Sequence, residues 1–244
     1  MKIARVTVTP IAFRDQPLLN ASGIHEPWAL RSILEVEGAD GTIGLGETYG
    51  DAPVLAALEA VAPALVGLDA FDLNGLERVV RDTLATLTPP AAGAELAPGS
   101  HPGKQFANAF SAFEVAFLDL QARHLGIPLA LLLGGKARDA VPFSAYLFFK
   151  YATHIDADYP PDPWGEAVDP AGIVAQARRM IGLHGFGSIK LKAGALKPAI
   201  EGSGDARAGG RLSGHAAPDR PQRQLVAGNG APRGGGIARH PRIL

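Results

Sequence analysis

The chain has 244 residues, 47% of them hydrophobic, which is enough for one barrel-sized domain or two smaller ones. Lysine plus arginine total 23 and aspartate plus glutamate total 24, so the net charge of −1 gives no overall field that attracts nucleic acid or an anionic membrane. There is no cysteine, which excludes disulfide scaffolds and thiolate metal sites. The lack of a signal-like N-terminus and of about 18 consecutive apolar residues favours a cytoplasmic protein without a membrane span.

The first fifty residues predict a small antiparallel sheet. Residues 2–8 alternate between apolar and polar and are predicted to form a strand that ends at Pro10, because proline cannot donate to a strand ladder. Two further strands, 31–37 and 42–48, flank the hairpin turn signal GADG at 38–41.

Helical spacing follows the sheet. Asp51 is predicted to cap a helix with Pro53 in its first turn. A second helix is predicted over 73–87, before two prolines, and the Pro-, Gly- and Ala-rich residues 88–104 are predicted to form a loop. A long helix over 106–124, with Phe110, Phe113, Phe117 and Leu120 as its apolar positions, precedes a short helix at 129–133 that ends at two glycines.

Two lysines share one face of a predicted strand at 187–194, GSIKLKAG. Successive strand side chains point to opposite faces, so Ile189 and Leu191 lie on one face while Lys190 and Lys192 lie on the other. If the lysine face meets solvent, the pair is an ordinary polar strand edge. If it lines a closed site, repulsion between two ammonium groups favours loss of one proton, which suits a base.

Six short sequences carry a resemblance to a known family. AFEVAFLDL at 112–120, GIP at 126–128 and LLGG at 132–135 resemble the segment that joins cap to barrel in the enolase superfamily, mandelate racemase/muconate lactonizing type. NASGIH at 20–25, YLFF at 146–149 and IKLK at 189–192 are similar to the glucarate dehydratases in particular. The resemblance implies an N-terminal α+β capping domain at 1–136 followed by an incomplete (β/α) TIM-type barrel, with its first two units at 137–200.

The same resemblance implies a lyase that acts on a sugar diacid. Lys192 is expected to remove the proton next to a Mg²⁺-bound carboxylate, and Lys190 to hold that carboxylate, before water is lost from the substrate. His25 and Tyr146 are expected to contact the substrate. A homo-oligomer is compatible with the family, and neither nucleic acid nor a membrane is expected as a partner.

Without the family, these residues have ordinary structural interpretations. His25 is more often a loop residue, and Tyr146 a residue of the core or its rim. Buried acids such as Glu114 and Asp119 are more often satisfied by backbone or arginine partners, and Glu47 at a strand end is interpreted as structural. The segment HIDAD at 154–158 has metal-compatible side chains, but its Pro-rich surroundings give no spacing that would converge them, so no metal site is predicted there.

The chain departs from the family after about residue 200. Residues 201–244 contain no aromatic residue and no lysine, are rich in Gly, Arg and Pro, and are predicted to be disordered. The acidic and amide metal ligands that the family carries on its next three strands do not follow. We therefore expect that Mg²⁺, although the family's cofactor, is not bound by this chain.

A natural flexible tail is one interpretation of this departure, and a shift of reading frame is the other. Back-translated and read one nucleotide later, residues 216–226 permit PLRIDPNGNWS, which is similar to the third-strand motif of glucarate dehydratases with its metal-binding aspartate. Residues 227–231 then permit LETA, a plausible helix start. We hypothesise that one extra nucleotide, or two missing, lies near the codons for residues 200–204.

These observations lead to one expected function and two alternatives. The first is a glucarate dehydratase-like lyase whose 244-residue chain is inactive and, with apolar barrel faces uncovered, poorly soluble. The second is another acid-sugar dehydratase, or a racemase or epimerase of the same superfamily. The third is a non-catalytic remnant that keeps the cap as a folded unit.

Overall fold

The computed structural model describes residues 1–20, 23–87, 104–155, 158, 160–199 and 201, and the backbone alone of Leu225–Ala227. The chain divides into two compact units, one of Met1–Arg14 with Trp28–Asp139 and one of Asp15–Pro27 with Ala140–Leu244. The first loop, residues 15–27, therefore groups with the second unit and not with the predicted cap. Among the described helices, none is long and apolar enough to cross a membrane.

The secondary structure follows the predicted order of a sheet, helices and then alternating strands and helices. The strands are β1 (Ile3–Arg14), β2 (Leu19–Asn20), β3 (Gly23–Ile24), β4 (Trp28–Gly38), β5 (Ile43–Tyr49), β6 (Ser144–Phe148), β7 (Ser188–Lys192) and β8 (Leu225–Ala227). The α-helices are α1 (Ala52–Val61), α2 (Leu73–Ala85), α3 (Gln105–His124), α4 (Leu129–Leu132) and α5 (Pro170–His184), with a 3-10 turn at Ala62–Leu65.

The three-stranded sheet of the first unit has the antiparallel order β1-β4-β5. The predicted hairpin at 38–41 is confirmed, with the Gly38 amide donating to the Thr42 carbonyl at 2.8 Å. The predicted end of β1 at Pro10 is wrong, because β1 continues to Arg14. Pro10 pairs with Ser32 in register, and β1 is the edge strand, where a proline can be accommodated.

The core of the first unit lies between this sheet and α1 to α3. The side chains of Phe113, Phe117 and Leu120 on α3 are fully buried, as their helical spacing predicts. They belong to one cluster with Leu34 of β4 and Leu76 of α2. The N-terminus of α2 is capped by Asp72, whose carboxylate accepts a hydrogen bond from the Gly75 amide at 2.7 Å. The predicted loop at 88–104 lies outside the described residues except for Lys104.

Two glycines of β5 let the strand lie directly against the backbone of α3. A Cβ atom added at Gly44 would stand 2.1 Å from the carbonyl oxygen of Ala116. One added at Gly46 would stand 2.2 Å from the carbonyl oxygen of Ala112. Because the obstructing atoms belong to the backbone of α3, a side chain at either position must displace α3 from β5 as a whole.

We expect Gly46→Ala to lower the free energy of unfolding of the first unit by about 1–3 kcal/mol, as overpacking of a filled core does. Urea unfolding followed by circular dichroism measures the change. Gly182→Ala is the control, because Gly182 is an exposed position of α5 where an added Cβ meets open space. This substitution is expected to be neutral or slightly stabilising. Unchanged unfolding of the Gly46 variant would show that β5 does not lie so close to α3.

The second unit contains a parallel β/α unit, β6–α5–β7, as expected for the start of a barrel. The N-terminus of α5 is defined by Asp169, whose side chain accepts a hydrogen bond from the Gly172 amide at 2.7 Å, and by Pro170 in the first turn. Its C-terminus is defined by Gly185, which adopts a left-handed φ of 66°. The helix packs Ile173 and other apolar residues on one face of the sheet.

Strand β8 lies in the stretch for which the sequence predicts disorder, and at these three residues the structure differs from that prediction. Its backbone pairs in parallel with β7, with Leu225 opposite Ile189. The open edge of β7 offers unpaired backbone groups to any extended apolar segment, which explains the pairing physically. Glu201, the first residue of the same stretch, is also described and is buried. The other residues of 201–244 lie outside the described part of the chain.

Candidate active-site face

Strict side-chain alternation on β6 and β7 creates two different faces. Ala145 and Leu147 of β6 and Ile189 and Leu191 of β7 are buried in the cluster that includes residues of α5. The predicted placement of Ile189 and Leu191 on one face of the strand is therefore confirmed, and α5 packs on that face. Lys190 and Lys192 lie on the opposite, exposed face.

The lysines lie beside two aromatic side chains of β6. In the parallel register Tyr146 is opposite Lys190, and Phe148 is opposite Lys192. The Nζ atom of Lys190 is 4.5 Å from the centre of the Tyr146 ring, a cation–π contact, and the Tyr146 and Phe148 ring centres are 4.6 Å apart. The ring face thus holds the ammonium group while leaving its hydrogen-bond donors available to an anion.

The first loop brings His25 to the same face. Backbone hydrogen bonds attach the loop to the end of β6, from the Leu19 amide to the Phe149 carbonyl at 2.8 Å and from the Tyr151 amide to the Pro17 carbonyl at 3.1 Å. The His25 ring lies edge-on to Phe148 with 6.2 Å between ring centres. The four predicted site residues, His25, Tyr146, Lys190 and Lys192, therefore share one aromatic-lined face, and their chemical roles remain predictions.

Asp15, which the sequence did not single out, is the partner of His25. Its Oδ2 atom lies 3.1 Å from Nδ1 of His25. Burial alone would raise the pKa of the Asp15 carboxyl, but hydrogen bonds from His25 and the Gln16 amide, with the charges of His25 and His154, outweigh it and hold that pKa below its ordinary value. The ionised form of Asp15 is thus stabilised by the fold.

A pH dependence follows from the lowered pKa of Asp15. A carboxylate with a lower pKa when folded contributes stability above the ordinary aspartate pKa, and this contribution is lost as the pH falls through the folded pKa. Asp15→Asn is therefore expected to be less stable than the wild type at about pH 6, with the difference shrinking below about pH 3. Urea unfolding at both pH values measures the difference in stability between the wild type and Asp15→Asn. An equal difference at both pH values would contradict the lowered pKa of Asp15.

Glu201 is a second residue that the sequence did not single out. Its buried carboxylate accepts hydrogen bonds from the Gly194 amide at 3.0 and 2.9 Å and from the Leu196 amide at 2.7 Å. These amides belong to the loop that leaves β7 directly after Lys192. Glu201 therefore fixes the conformation of the chain at the end of the strand that carries both lysines.

Lys150 and Asp162 form a buried ion pair behind the site. The two side chains are 1% and 2% exposed, and the ammonium donates to the carboxylate. Lys150 also exchanges two backbone hydrogen bonds with Ala167, at 3.0 and 2.9 Å, and forms a bridge to Leu18 of the first loop. The ion pair holds the segment after β6 against residue 162, and the backbone contacts of Lys150 hold the first loop at that segment.

Glu114, predicted to be a buried acid, is only half-buried. Asp119, Glu47 and His154 have structural partners. Asp119 accepts hydrogen bonds from the Leu45 amide at 2.9 Å and from Arg123 at 2.8 Å, and Glu47 pairs with Arg31 at 3.3 Å. His154 is buried, with Nε2 3.1 Å from the Asp15 carbonyl, while residues 156 and 157 lie outside the described residues.

The donor set needed for Mg²⁺ does not occur in the described part of the chain. Among those residues, no group of three or more His, Cys, Asp or Glu side chains is arranged to hold a metal ion. The site face supplies cations and aromatic rings, which suit an anionic ligand and not a divalent cation. The residues described here therefore do not fit the metal that the resemblance implies.

Comparison with known proteins identifies relatives of this chain. The model of the mandelate racemase / muconate lactonizing enzyme N-terminal domain matches residues 5–134. A curated protein from Streptomyces coelicolor, named "probable glucarate dehydratase", is 46% identical over 207 residues, which cover 82% of this chain and 48% of that protein. The chain thus spans about half the length of this curated relative.

Solved structures show the same relationship. An enolase from Pseudomonas fluorescens, solved with bound magnesium, potassium and tartrate, is 60% identical with a TM-score of 0.83, covering 93% of this chain and 51% of that one. An enolase from Thermobispora bispora, complexed with magnesium and formate, is 47% identical with a TM-score of 0.80 and covers 92% and 51%. The chain belongs to the mandelate racemase / muconate lactonizing enzyme family of the enolase superfamily, and it comprises the capping domain and a partial strand and helix region after it.

Proposed function

We propose that this chain is the lysine-bearing half of a glucarate dehydratase-like lyase. The observation that carries the proposal is the shared face of β6 and β7, where Lys190 and Lys192 stand beside Tyr146 and Phe148 with His25 against Phe148. The similarity to the Streptomyces coelicolor protein supports an acid sugar as the substrate class. Family membership supports an enzyme whose reaction begins next to a carboxylate.

The two lysines divide the work of proton removal. Lys190, held against the Tyr146 ring, keeps its N–H donors for a substrate carboxylate, and its positive charge stabilises the negative charge that develops there. Lys192, in its neutral form, takes the proton from the carbon next to that carboxylate onto Nζ. The electron pair left on carbon forms a double bond as hydroxide departs from the adjacent carbon, and the resulting enol becomes a keto acid. His25 orients the polar end of the substrate farther from the lysines.

The described residues account for only part of such a site. Proteins similar to this chain were solved with bound magnesium, but here no described cluster could hold that ion. Val141 and Phe143, which precede β6, are 66% and 74% exposed, so two large apolar side chains lie uncovered in the described part of the chain. We therefore assign substrate binding and proton transfer to this chain and derive no step through a metal.

The purified 244-residue chain is expected to show no Mg²⁺-dependent dehydration of D-glucarate, because no group of acidic or histidine side chains in the described part of the chain could hold Mg²⁺. The assay follows the appearance of a keto acid, with incubation lacking Mg²⁺ as the control. Turnover that requires Mg²⁺ would contradict this expectation. Exchange of a substrate hydrogen without water loss would instead favour the racemase or epimerase alternative.

A further inference from the structure

The loop that carries His25 holds a rigid acid next to that histidine. Asp15 and His25 are 29% and 16% exposed at their side chains, so the pair is shielded from bulk water on most sides. The Nδ1 atom of His25 and Oδ2 of Asp15 are 3.1 Å apart. A carboxylate at this distance accepts the proton of Nδ1 and so selects one of the two neutral forms of the ring.

Asp15 is itself held at its backbone and its side chain. Its amide donates to the Pro27 carbonyl at 2.9 Å, and its carbonyl accepts from Nε2 of His154 at 3.1 Å. Its Oδ1 atom accepts from the Gln16 amide at 2.8 Å, which leaves Oδ2 directed at His25. The Asp15 side chain is therefore fixed before any ligand binds. It can orient the imidazole of His25 without a further loss of its own conformational entropy.

The backbone of His25 is fixed as well. Its amide donates to the Leu18 carbonyl at 2.8 Å, and Leu18 forms a bridge to Lys150 at the end of β6. The ring edge rests against Phe148, whose own ring touches Tyr146 beside Lys190. With Nδ1 engaged by Asp15, Nε2 on the opposite side of the ring is the nitrogen that remains for a ligand.

We propose that Asp15 is a positioning residue that keeps His25 protonated on Nδ1 and presents Nε2 to the substrate. Contact of Nε2 with an acid sugar rests on the proposed function, whereas the choice of ring form by Asp15 does not. A metal-bound or core histidine can be held in the same way. The ring form and its response to substitution of Asp15 therefore test the positioning role, and the response of Nε2 to D-glucarate tests the contact with substrate.

The experiment is long-range ¹H–¹⁵N correlation NMR of the full chain labelled with ¹⁵N-histidine, at about pH 8.5, where an ordinary imidazole is neutral. A His25→Gln variant assigns the His25 signals among the seven histidines. The wild type is expected to carry its proton on Nδ1 of His25. Asp15→Ala is expected to move it to Nε2, while Asp15→Asn, whose side-chain oxygen still accepts, is expected to retain the wild-type form.

The exposed pair of Asp40 and His124, with Oδ2 and Nδ1 2.6 Å apart, supplies the matched control. Asp40→Ala is expected to change the signals of His124 and leave those of His25 unaltered. A wild-type His25 protonated on Nε2 would overturn the inference, and this result needs no Asp15 variant to fold. Equal ring forms in the wild type and in Asp15→Ala would overturn it too.

Addition of D-glucarate separates this inference from the proposed function. A changed ¹⁵N shift at Nε2 of His25, absent from Asp15→Ala, supports both. If glucarate leaves every His25 signal unchanged while Asp15 still selects the Nδ1-protonated form, the substrate contact fails and the positioning role of Asp15 stands.

Discussion

Asp162→Ala is expected to lower the free energy of unfolding of the second unit by about 3–5 kcal/mol, because it leaves the ammonium of Lys150 buried without its counter-charge. Both side chains are almost fully enclosed, at 1% and 2% exposure, so water cannot replace the lost carboxylate. Urea unfolding monitored by the fluorescence of Trp164, which lies beside the pair in sequence and donates its amide to Asp162 at 3.0 Å, reports on this region.

Lys136 and Asp139 supply the control for that variant. They form an ion pair of 3.0 Å between side chains that are 63% and 95% exposed. Asp139→Ala is expected to cost at most about 1 kcal/mol, since solvent screens such a pair. Combining Lys150→Met with Asp162→Leu is expected to recover much of the stability lost in Asp162→Ala, because no unpaired charge remains. Equal costs for the Asp162 and Asp139 variants would contradict the buried pair.

Removing one nucleotide from the codons that follow Glu201 is expected to convert an inactive chain into an active dehydratase. The expected turnover is about 1–1,000 per second, the ordinary range for enzymes. The alternate frame permits the third-strand motif PLRIDPNGNWS, with the aspartate that resembles a family metal ligand. The altered gene must keep its own downstream DNA to the stop codon of that frame.

Glu201 bears on where the hypothesised frame change would lie. Glu201 is buried and binds the amides of Gly194 and Leu196, so the chain still folds against β7 at this residue. An intact single frame in independent DNA reads, with no barrel sequence in the alternate frame, would contradict the prediction.

Local periodicity was enough to predict most of the described fold. Alternation at 189–192 correctly predicted that Ile189 and Leu191 would share one face, and the spacing of Phe113, Phe117 and Leu120 correctly predicted the buried face of α3. Both patterns work because one face of each element must be apolar. Pro10 misled the prediction because its effect depends on whether the strand lies at an edge, which is a property of the sheet and not of the strand.

The supporting residues of the site could not be predicted in this way. Asp15 meets His25 through the path of a loop, Lys150 meets Asp162 across a Pro-rich segment, and Glu201 folds back on Gly194. Each depends on tertiary placement, and none lies in a repeating pattern. One signal was present for Glu201, since a lone acid a few residues after a Gly-containing strand end can bind exposed amides there.

Periodicity could not predict which face of β7 binds substrate. The family resemblance supplied that prediction. Lys190 and Lys192 lie on an exposed face in the described structure, so exposure alone would fit the solvated-edge interpretation. Their alignment with Tyr146 and Phe148, and the approach of His25 to Phe148, favour a ligand-binding face. Family membership gives this arrangement its proposed reaction.

The most direct test of the lysine pair is D-glucarate dehydration, with Mg²⁺ present, by the frame-restored protein and its Lys192→Met variant. Loss of the base is expected to reduce turnover by about 10²–10⁴-fold. Lys197→Met is the control, because Lys197 is exposed in the loop after β7, and it is expected to keep wild-type turnover. Wild-type turnover in Lys192→Met would contradict the assignment of β7 as the strand that carries the base.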